Sequence, residues 1–195
     1  MCVRHGRTAW NADSRFQGHT DVPLDDEGRA QATALAALLR DQRIDAAVSS
    51  DLARAAETAR IVLGARDLPL RLDPDWREMQ FGDWEGLTWA QIRAANPNLD
   101  AGAATSVKAY TPRGGESFAE LSERVERAVE RVATEVPDDG VALVATHAGP
   151  LHALLGVLLG DELKVRFVTA SVTCFRRTNG VWSLARLNQT AHEAS

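Results

Sequence analysis

Apolar residues along the 195-residue chain alternate between short continuous runs and stretches with helical spacing. The short runs predict buried strands at residues 1–3, 46–49, 69–72 and 141–145. Between these runs, apolar side chains recur every three or four residues, as they do on one face of an amphipathic helix. Strands that alternate with helices are typical of a layered α/β fold. We therefore predict a three-layer α/β sandwich, in which a mostly parallel central sheet carries helices on both faces.

Capping signals and helix breakers indicate where the predicted helices begin and end. Helical spacing covers residues 28–40 and 150–159. Capping boxes at Thr88 and Ser117 predict the starts of two more helices. The first of these is expected to stop at Asn96, because the residue before a proline disfavours helical backbone angles.

The last part of the chain has a different pattern. Asn179 and Gly180 separate two apolar stretches, and this dipeptide favours the tight turn of a β-hairpin. We expect an antiparallel hairpin at the edge of the sheet, and a homodimer through this edge if the chain self-associates. Residues 97–115 show no period and predict a loop or lid. Without repeats or a linker, residues 1–195 are expected to form a single domain.

Charge and composition argue against several classes of protein. The chain has 22 Lys and Arg against 27 Asp and Glu, a formal charge of −5, so a basic face for nucleic acid is not expected. The sequence lacks an apolar run long enough to span a bilayer and an apolar leader typical of secretion. Cys2 and Cys174 are too few for a disulfide framework or a four-thiolate zinc site. We expect a cytoplasmic protein without nucleic-acid or membrane partners.

Basic and imidazole side chains occur where three predicted strands end. Arg4 and His5 follow the first strand, Arg54 lies at the start of the helix after the second, and His147 follows the run at 141–145. Because the carboxyl ends of parallel strands meet at one edge of a sheet, we expect these side chains to converge. Arginine pairs with phosphate oxygens, and imidazole acts as a nucleophile or a base. The set predicts phosphoryl transfer, which needs mainly positioning and positive charge.

Metal and nucleotide motifs are not seen in the sequence. Paired aspartates, metal-ligand spacing of histidine and glutamate, and a cysteine cluster are not found. A glycine-rich loop with lysine, typical of nucleoside triphosphatases, is also not found. Two arginines and an imidazole can supply the charge that phosphoryl transfer requires, so we expect neither a metal nor a cofactor.

Several motifs occur in order along nearly the whole chain. They are Arg4-His5-Gly6, Arg15-Phe16-Gln17-Gly18, Ser50-Asp51-Leu52-Ala53-Arg54-Ala55, Arg77-Glu78, Phe81-Gly82-Asp83-Trp84-Glu85-Gly86 and Thr146-His147-Ala148-Gly149. Together they resemble the histidine phosphatase superfamily, which has the phosphoglycerate-mutase-like fold. The resemblance extends from Arg4 to about His192.

The resemblance implies a role for each matching residue. His5 would be the nucleophile that becomes phosphorylated. Arg4, Arg54 and His147 would hold the phosphoryl oxygens. Glu78 would donate a proton to the leaving alcohol, and we expect it to take up that proton together with the substrate. A surface ion pair with the preceding arginine is the structural alternative for Glu78.

Further positions are implied at the wall of the phosphate pocket. Asn11 and Gln17 would lie there, and the backbone of Gly18 and Ala148 would line the same space. Arg7 stands where the family commonly has Glu or Gln. This extra cation would either favour anionic substrates or face solvent.

Three functions remain open at this point. The first is a metal-independent phosphatase that hydrolyses small-molecule phosphate monoesters through a phosphohistidine. The second is a cofactor-dependent phosphoglycerate mutase of the same fold, and the third is a non-catalytic module that binds phosphate ligands. The segments 16–21 and 81–86 resemble the phosphatase branch, and pure binding needs neither His5 nor Glu78. The phosphatase is therefore the favoured hypothesis, and the sequence does not name its substrate.

Overall fold

One six-stranded sheet runs through the computed structural model, which describes residues 1–97, 99, 110–160 and 163–191. The strands are β1 (Cys2–Arg4), β2 (Ala46–Ser49), β3 (Leu70–Leu72), β4 (Ala142–Thr146), β5 (Val172–Thr178) and β6 (Val181–Gln189). Their order in the sheet is β3-β2-β4-β1-β5-β6. The pairs β1–β4, β2–β4 and β2–β3 are parallel, whereas β1–β5 and β5–β6 are antiparallel. The predicted sheet, mostly parallel with an antiparallel hairpin at its edge, is confirmed.

Helices cover both faces of this sheet. They are α1 (Ala9–Ala12), α2 (Asp26–Leu38), α3 (Ala53–Leu63), α4 (Trp89–Ala95), α5 (Phe118–Glu135) and α6 (Ala148–Leu159), with short 3₁₀ helices at Pro74–Trp76 and Gly82–Trp84. Side chains of α5 and α6 form one buried cluster with Cys2 and Val144. Side chains of α2 and α3 form a second cluster with Val3 and Leu143. Because neighbouring strand residues point to opposite faces, the two clusters lie on opposite sides of the sheet and give three layers.

Local signals explain most helix ends. The capping boxes at Thr88 and Ser117 are present, and α4 ends at Asn96 as expected. Helix α2 starts two residues before the predicted position 28, because Asp25 caps it by accepting a hydrogen bond from Gly28 N at 2.7 Å. Helix α6 likewise starts at residue 148 rather than 150, with His147 as its N-cap residue.

The predicted hairpin turn is confirmed by its backbone angles. Asn179 has φ 52° and Gly180 has φ 80°, and a type I′ turn requires positive φ at both positions. Most of the predicted lid, residues 98 and 100–109, lies outside the described residues, as does His192. At the described end of that segment, Tyr110 stacks on Trp84 with ring centroids 5.1 Å apart. No helix among the described residues is long and apolar enough to cross a membrane.

The topology brings several segments to one edge of the sheet. The parallel strands β1, β2 and β4 end there, and β5 begins there because it runs antiparallel to β1. Hydrogen bonds join these ends: His5 N donates to Thr146 O at 3.0 Å, Ser50 N to Ala145 O at 2.9 Å, and Ala170 N to His5 O at 3.0 Å. The predicted functional residues lie on these segments.

Candidate active site

His5 lies directly after β1, and its ring is held in one orientation. Its Nδ1 is 2.7 Å from the carbonyl oxygen of Gly6, which can only accept, so Nδ1 carries the proton. The next backbone N–H, that of Gly6, donates to Thr58 Oγ1 on α3 at 3.0 Å. His5 Nε2 makes no hydrogen bond within the described part of the chain. The imidazole therefore presents an unprotonated nitrogen away from its backbone anchor.

Gly6 allows two chain segments to touch beside this ring. A Cβ atom at Gly6 would lie 2.4 Å from the carbonyl oxygen of Gly28 on α2. A Cβ atom at Gly28 would lie 2.0 Å from the carbonyl oxygen of Arg7. Neither position has room for a side chain, so the loop after His5 rests directly on the start of α2.

His147 and Arg54 form a buried pair beside His5. The rings of His5 and His147 are 5.0 Å apart between centroids. Arg54 Nε donates to His147 Nδ1 at 3.3 Å, and His147 Nε2 lies 2.9 Å from Ser50 Oγ. Since Nδ1 accepts from a guanidinium, the proton of His147 sits on Nε2 and points to Ser50. The two imidazoles therefore have opposite tautomers.

Arg54 also holds the loop that carries Gly18. Its Nη2 donates to Gly18 O at 2.7 Å, and its Nη1 donates to Thr20 O at 2.9 Å. Burial lowers the pKa of Arg54 to about 10, opposed chiefly by the negative charge of Glu78. The guanidinium therefore stays charged at neutral pH and joins α3 to this loop.

Glu85 holds the same loop from the other side. Its carboxylate accepts from His19 N at 2.9 Å, Thr20 N at 2.9 Å and Phe81 N at 3.1 Å, and also from the Thr20 hydroxyl. A Cβ at Gly18, where φ is 52°, would lie 1.9 Å from Glu85 Oε1. The loop thus depends on glycine at position 18, both for its backbone angle and for space.

Arg4 and Gln17 present polar atoms that lack partners. Arg4 Nη1 donates to the carbonyl oxygen of Phe167, whereas its buried Nε finds no acceptor in the described chain. Gln17 is buried, and its Oε1 likewise has no partner there. Because buried polar groups are nearly always hydrogen-bonded, these atoms indicate where a polar ligand would make contact.

The predicted wall residues Asn11 and Ala148 lie on different helices, α1 and α6. Asn11 Oδ1 accepts from Thr8 N and Thr8 Oγ1, both at 3.1 Å, and so closes the capping box of α1. Ala148 is the first residue of α6, directly after His147. Neither Asn11 nor Gln17 is hydrogen-bonded to another predicted site residue in the described structure. Their position at the pocket wall stays a prediction.

Glu78 is buried, and described residues anchor only one of its carboxylate oxygens. Its Oε1 accepts from Met79 N at 2.8 Å and from Gly149 N, in the first turn of α6, at 2.9 Å. A Cβ at Gly149 would lie 2.3 Å from this oxygen. Arg77 instead pairs with Asp51 at 2.6 Å, so Glu78 is not in the surface ion pair considered as its alternative.

Arg124 fixes the segment that carries Glu78, and none of the sequence motifs contains it. It lies on α5, is 8% exposed, and donates to the carbonyl oxygens of Asp75, Arg77 and Glu78, each at 2.8 Å. Its charge is balanced by Glu116, which accepts from Nε at 3.0 Å. The sequence feature that could have identified Arg124 is its place on the core-facing side of the predicted helix. Ser50 and Thr58 were also missed, because a short polar residue after a strand or on a helix is common.

Burial and positive charge keep both imidazoles neutral. Desolvation lowers the pKa of His5 well below 6.5, and the charges of Arg54 and Arg4 lower it further. The pKa of His147 is also well below 6.5, first through burial and then through Arg54. Burial lowers the pKa of Arg4, which the charge of Glu78 opposes. At neutral pH the site therefore combines two cationic guanidinium groups with two uncharged imidazoles.

Trp76, Trp84 and Arg7 are held by contacts within the protein. Trp76 and Trp84 are buried in the apolar cluster of α5 and α6. Arg7 donates to Asp25 at 2.9 Å, so its charge is paired. In the described part of the chain, no group of three or more His, Cys, Asp or Glu side chains is arranged to hold a metal ion.

Comparison with known proteins identifies the family. The model of the histidine phosphatase superfamily (branch 1) matches residues 1–190. The chain belongs to this superfamily. The resemblance seen in the sequence motifs is confirmed over nearly the whole chain.

Several phosphatases of this superfamily are similar to the chain over most of their length. The adenosylcobalamin/alpha-ribazole phosphatase of Salmonella typhimurium is 35% identical over 181 residues, 93% of this chain and 86% of that protein. The glucosyl-3-phosphoglycerate phosphatase of Mycolicibacterium vanbaalenii is 38% identical over 167 residues, 82% of this chain and 73% of that protein. A mycobacterial glucosyl-3-phosphoglycerate phosphatase in complex with VO3 superposes with a TM-score of 0.88 at 31% identity, covering 97% of this chain and 98% of that one.

Proposed function

We propose that this member of the superfamily hydrolyses phosphate monoesters of small molecules through a phosphohistidine, without a metal ion or cofactor. The observation that carries the proposal is a pair of atoms beside two arginines, His5 Nε2 and Glu78 Oε2, that have no hydrogen-bond partner among the residues the structure describes. Each belongs to a group whose other polar atom is anchored to backbone. The named phosphatases among the relatives support the same reaction.

In the first step, His5 Nε2 attacks phosphorus and the bond between phosphorus and the ester oxygen breaks. The lone pair is available because the pKa of His5 is low and its proton sits on Nδ1. The leaving oxygen takes a proton from Glu78. Since Oε1 already accepts two N–H groups, the proton must sit on Oε2. The products are the free alcohol and phospho-His5.

Positive charge around the phosphoryl group comes from Arg4 and Arg54. Arg4 Nε has no acceptor in the described structure and is free to donate to a phosphoryl oxygen. His147 contributes its Nε2–H, which donates to Ser50 in the absence of substrate. Fixed donors aimed at developing negative charge are the main contribution that a protein makes to phosphoryl transfer.

In the second step, water attacks phospho-His5. The bond between nitrogen and phosphorus breaks, inorganic phosphate leaves, and the Glu78 carboxylate accepts the proton of the water. A mutase would instead return the phosphoryl group to a second hydroxyl. Release of inorganic phosphate from several monoesters, compared with isomerisation of 3-phosphoglycerate primed with its bisphosphate, separates the two. A binding module would do neither.

Substitution of His5 tests the nucleophile. His5→Ala is expected to abolish phosphate release, and an acid-labile phosphohistidine is expected in the wild type alone. The tautomer assigned above places the phosphoryl group on Nε2, which phosphorus NMR of the trapped protein can verify. Activity is expected to persist in a chelator. Strong activity of His5→Ala, or full loss in chelator, would contradict the mechanism.

Changing the leaving group tests Glu78. An alkyl phosphate leaves as a poor alkoxide and needs a proton, whereas p-nitrophenyl phosphate hardly needs one. General-acid catalysis typically contributes about 10²–10⁴-fold. Glu78→Gln is therefore expected to slow phosphorylation of His5 by alkyl phosphates by about that factor and by aryl phosphates far less. Single-turnover burst rates are the right measure, because Glu78 also serves the second step. Equal loss for both substrates would mean that Glu78 only shapes the pocket.

Other expectations from the sequence stay predictions. They concern a cytoplasmic location, the lack of nucleic-acid and membrane partners, the single domain over residues 1–195 and the homodimer. The continuous six-stranded sheet supports the single domain.

A further inference from the structure

The segment before β5 lies at the rim of the phosphate pocket. Arg4 N donates to Ser171 O at 3.0 Å, and Ala170 N donates to His5 O at 3.0 Å. The carbonyl oxygen of Phe167 accepts from the Arg4 guanidinium. Phe167 itself is buried, and its ring packs edge-on against the ring of His152, with the ring centroids 4.9 Å apart. The residue preceding Phe167 is therefore carried next to the guanidinium of Arg4.

That residue is Arg166, and its backbone is fixed. Asn188 on β6 donates from Nδ2 to Arg166 O at 3.0 Å and accepts from Val168 N at 2.8 Å. The side chain of Arg166 is exposed and has no hydrogen bond or ion pair to any residue that the structure describes. Arg7, the other extra arginine close to His5, is held by Asp25 at 2.9 Å. The two extra cations thus differ, because Arg7 has a carboxylate partner and Arg166 has none in the described part of the chain.

When a phosphate ester binds, its two negative charges are matched by other arginines, and the positive charge of Arg166 is left without a negative partner. The dianion of the ester matches the charges of Arg4 and Arg54, while His5 and His147 are neutral and Glu78 holds the proton that it will donate. Burial lowers the pKa of Arg4, and the charge of Glu78 raises it. The charge of Arg166, the third influence, lowers it again. An additional negative group on the substrate would relieve this repulsion.

We propose that Arg166 forms a second anion subsite beside the phosphate pocket, and that the preferred substrates are phosphate monoesters carrying a carboxylate. The inference rests on the proposed phosphatase activity and specifies its substrate class. Arginine suits this task because its planar fork binds a carboxylate through two parallel hydrogen bonds.

Two esters with the same skeleton test the subsite. 3-Phosphoglycerate carries a carboxylate where glycerol 3-phosphate carries a neutral hydroxymethyl group. For the wild type, kcat/KM for 3-phosphoglycerate is expected to exceed that for glycerol 3-phosphate by about tenfold or more, since a hydrogen-bonded charge pair typically contributes this much. Arg166→Gln is expected to bring the ratio close to one, mainly through a higher KM for 3-phosphoglycerate. Arg166→Lys is expected to keep part of the preference, and Arg166→Glu to reverse it.

Arg176→Gln is the matched control. Arg176 is also exposed and has no ion pair in the described structure, but it lies on β5 four residues beyond Val172, roughly 13 Å from the site edge. The control removes the same charge and is expected to keep the wild-type ratio within about twofold.

The outcomes separate this inference from the proposed function. Equal kcat/KM for the two esters in the wild type, or a preference that survives in Arg166→Gln, would overturn the subsite while the phosphatase activity stands. If the wild type hydrolyses neither of these esters nor p-nitrophenyl phosphate, the phosphatase activity fails, and the subsite fails with it.

Discussion

Arg54 connects three separate parts of the site through one guanidinium. It donates to His147 on one side and to the carbonyl oxygens of Gly18 and Thr20 on the other. Three of its five N–H groups are therefore occupied by protein, which fixes the direction of the remaining two. A lysine can place one positive charge there, but it cannot reproduce this planar set of donors.

We expect Arg54→Ala to reduce transition-state stabilisation by about 3–5 kcal/mol, measured from kcat/KM. Arg54→Lys should recover only part of the loss. Arg60→Ala, which removes an exposed arginine from the same helix, is the control and should have little effect. Full recovery by lysine would show that charge alone, and not geometry, accounts for the role of Arg54.

Arg124 is a positioning residue, since it contacts the backbone of Glu78 and not its carboxylate. Arg124→Lys loses most of the bonds to the three carbonyl oxygens, so the carboxylate should become less well placed. We expect the burst rate with alkyl phosphates to fall about tenfold, and that with aryl phosphates to change much less.

Arg131→Lys is the control for this prediction, because Arg131 also lies on α5 but pairs with Asp73 and Asp75. A purely structural role for Arg124 would lower both burst rates equally, or would change only the melting temperature. Either result would contradict the assignment.

At the scale of elements, helix α6 offers two glycines with opposite surroundings. A Cβ at Gly149 would meet Glu78 Oε1 at 2.3 Å, whereas a Cβ at Gly156 would meet no described atom within 4 Å. Alanine is favoured over glycine in a helix interior by roughly 1 kcal/mol. Gly156→Ala should therefore raise the free energy of unfolding and preserve activity.

Gly149→Ala should displace the carboxylate of Glu78 and break its hydrogen bond to α6. We expect a loss of about tenfold or more in the burst rate with alkyl phosphates and a smaller loss with aryl phosphates. Both variants can be compared by urea unfolding and single-turnover kinetics. If the two glycine variants behave alike in the kinetic measurement, the contact between Gly149 and Glu78 does not matter for the reaction.

The sequence predicts those elements whose signals are local. The boxes at Thr88 and Ser117 and the turn at Asn179 each involve residues at most three apart, and all three are confirmed. The start of α2 was displaced because the aspartate before it caps the helix. The motifs found Arg54, His147 and Glu78, but the contacts between them follow only from the fold.

Residues that act through distant backbone could not be found in this way. Arg124 contacts Glu78 across 46 positions, Thr58 contacts Gly6 across 52, and Ser50 contacts His147 across 97. None of these pairs has a spacing that a local pattern would indicate. Arg166 could not be found from a local pattern either, because it comes close to Arg4 only through the antiparallel pairing of β5 with β1.

For the whole molecule, the buried imidazoles predict how stability depends on pH. The pKa values of His5 and His147 are well below 6.5 in the folded state, through burial first and the nearby arginines second. Burial also lowers the pKa of His19. Below pH 6.5 the unfolded chain therefore binds protons that the folded chain does not, and stability falls as pH decreases.

Each of the two fully buried imidazoles, His5 and His147, can contribute up to about 1.4 kcal/mol per pH unit to this loss. Urea unfolding between about pH 7.5 and 5.5 measures it, in a range above the titration of the carboxylates. The same series on His5→Gln should show a smaller dependence. A free energy of unfolding that is constant over this range would contradict the neutral state assigned to the two rings.

The position of β1 in the sheet has a consequence for biosynthesis. This strand is made first, yet it lies between β4 and β5, and Met1 and Ala142, which are hydrogen-bonded to each other, are 141 positions apart. A nascent chain that has not reached β4 already carries His5, both arginines and Glu78, but its nucleophile strand has no neighbour to pair with. Exposed strand edges of this kind promote aggregation, and chaperones typically bind chains that expose them. Most of the chain must therefore leave the ribosome before β1 is paired on both sides and the nucleophile is fixed in place.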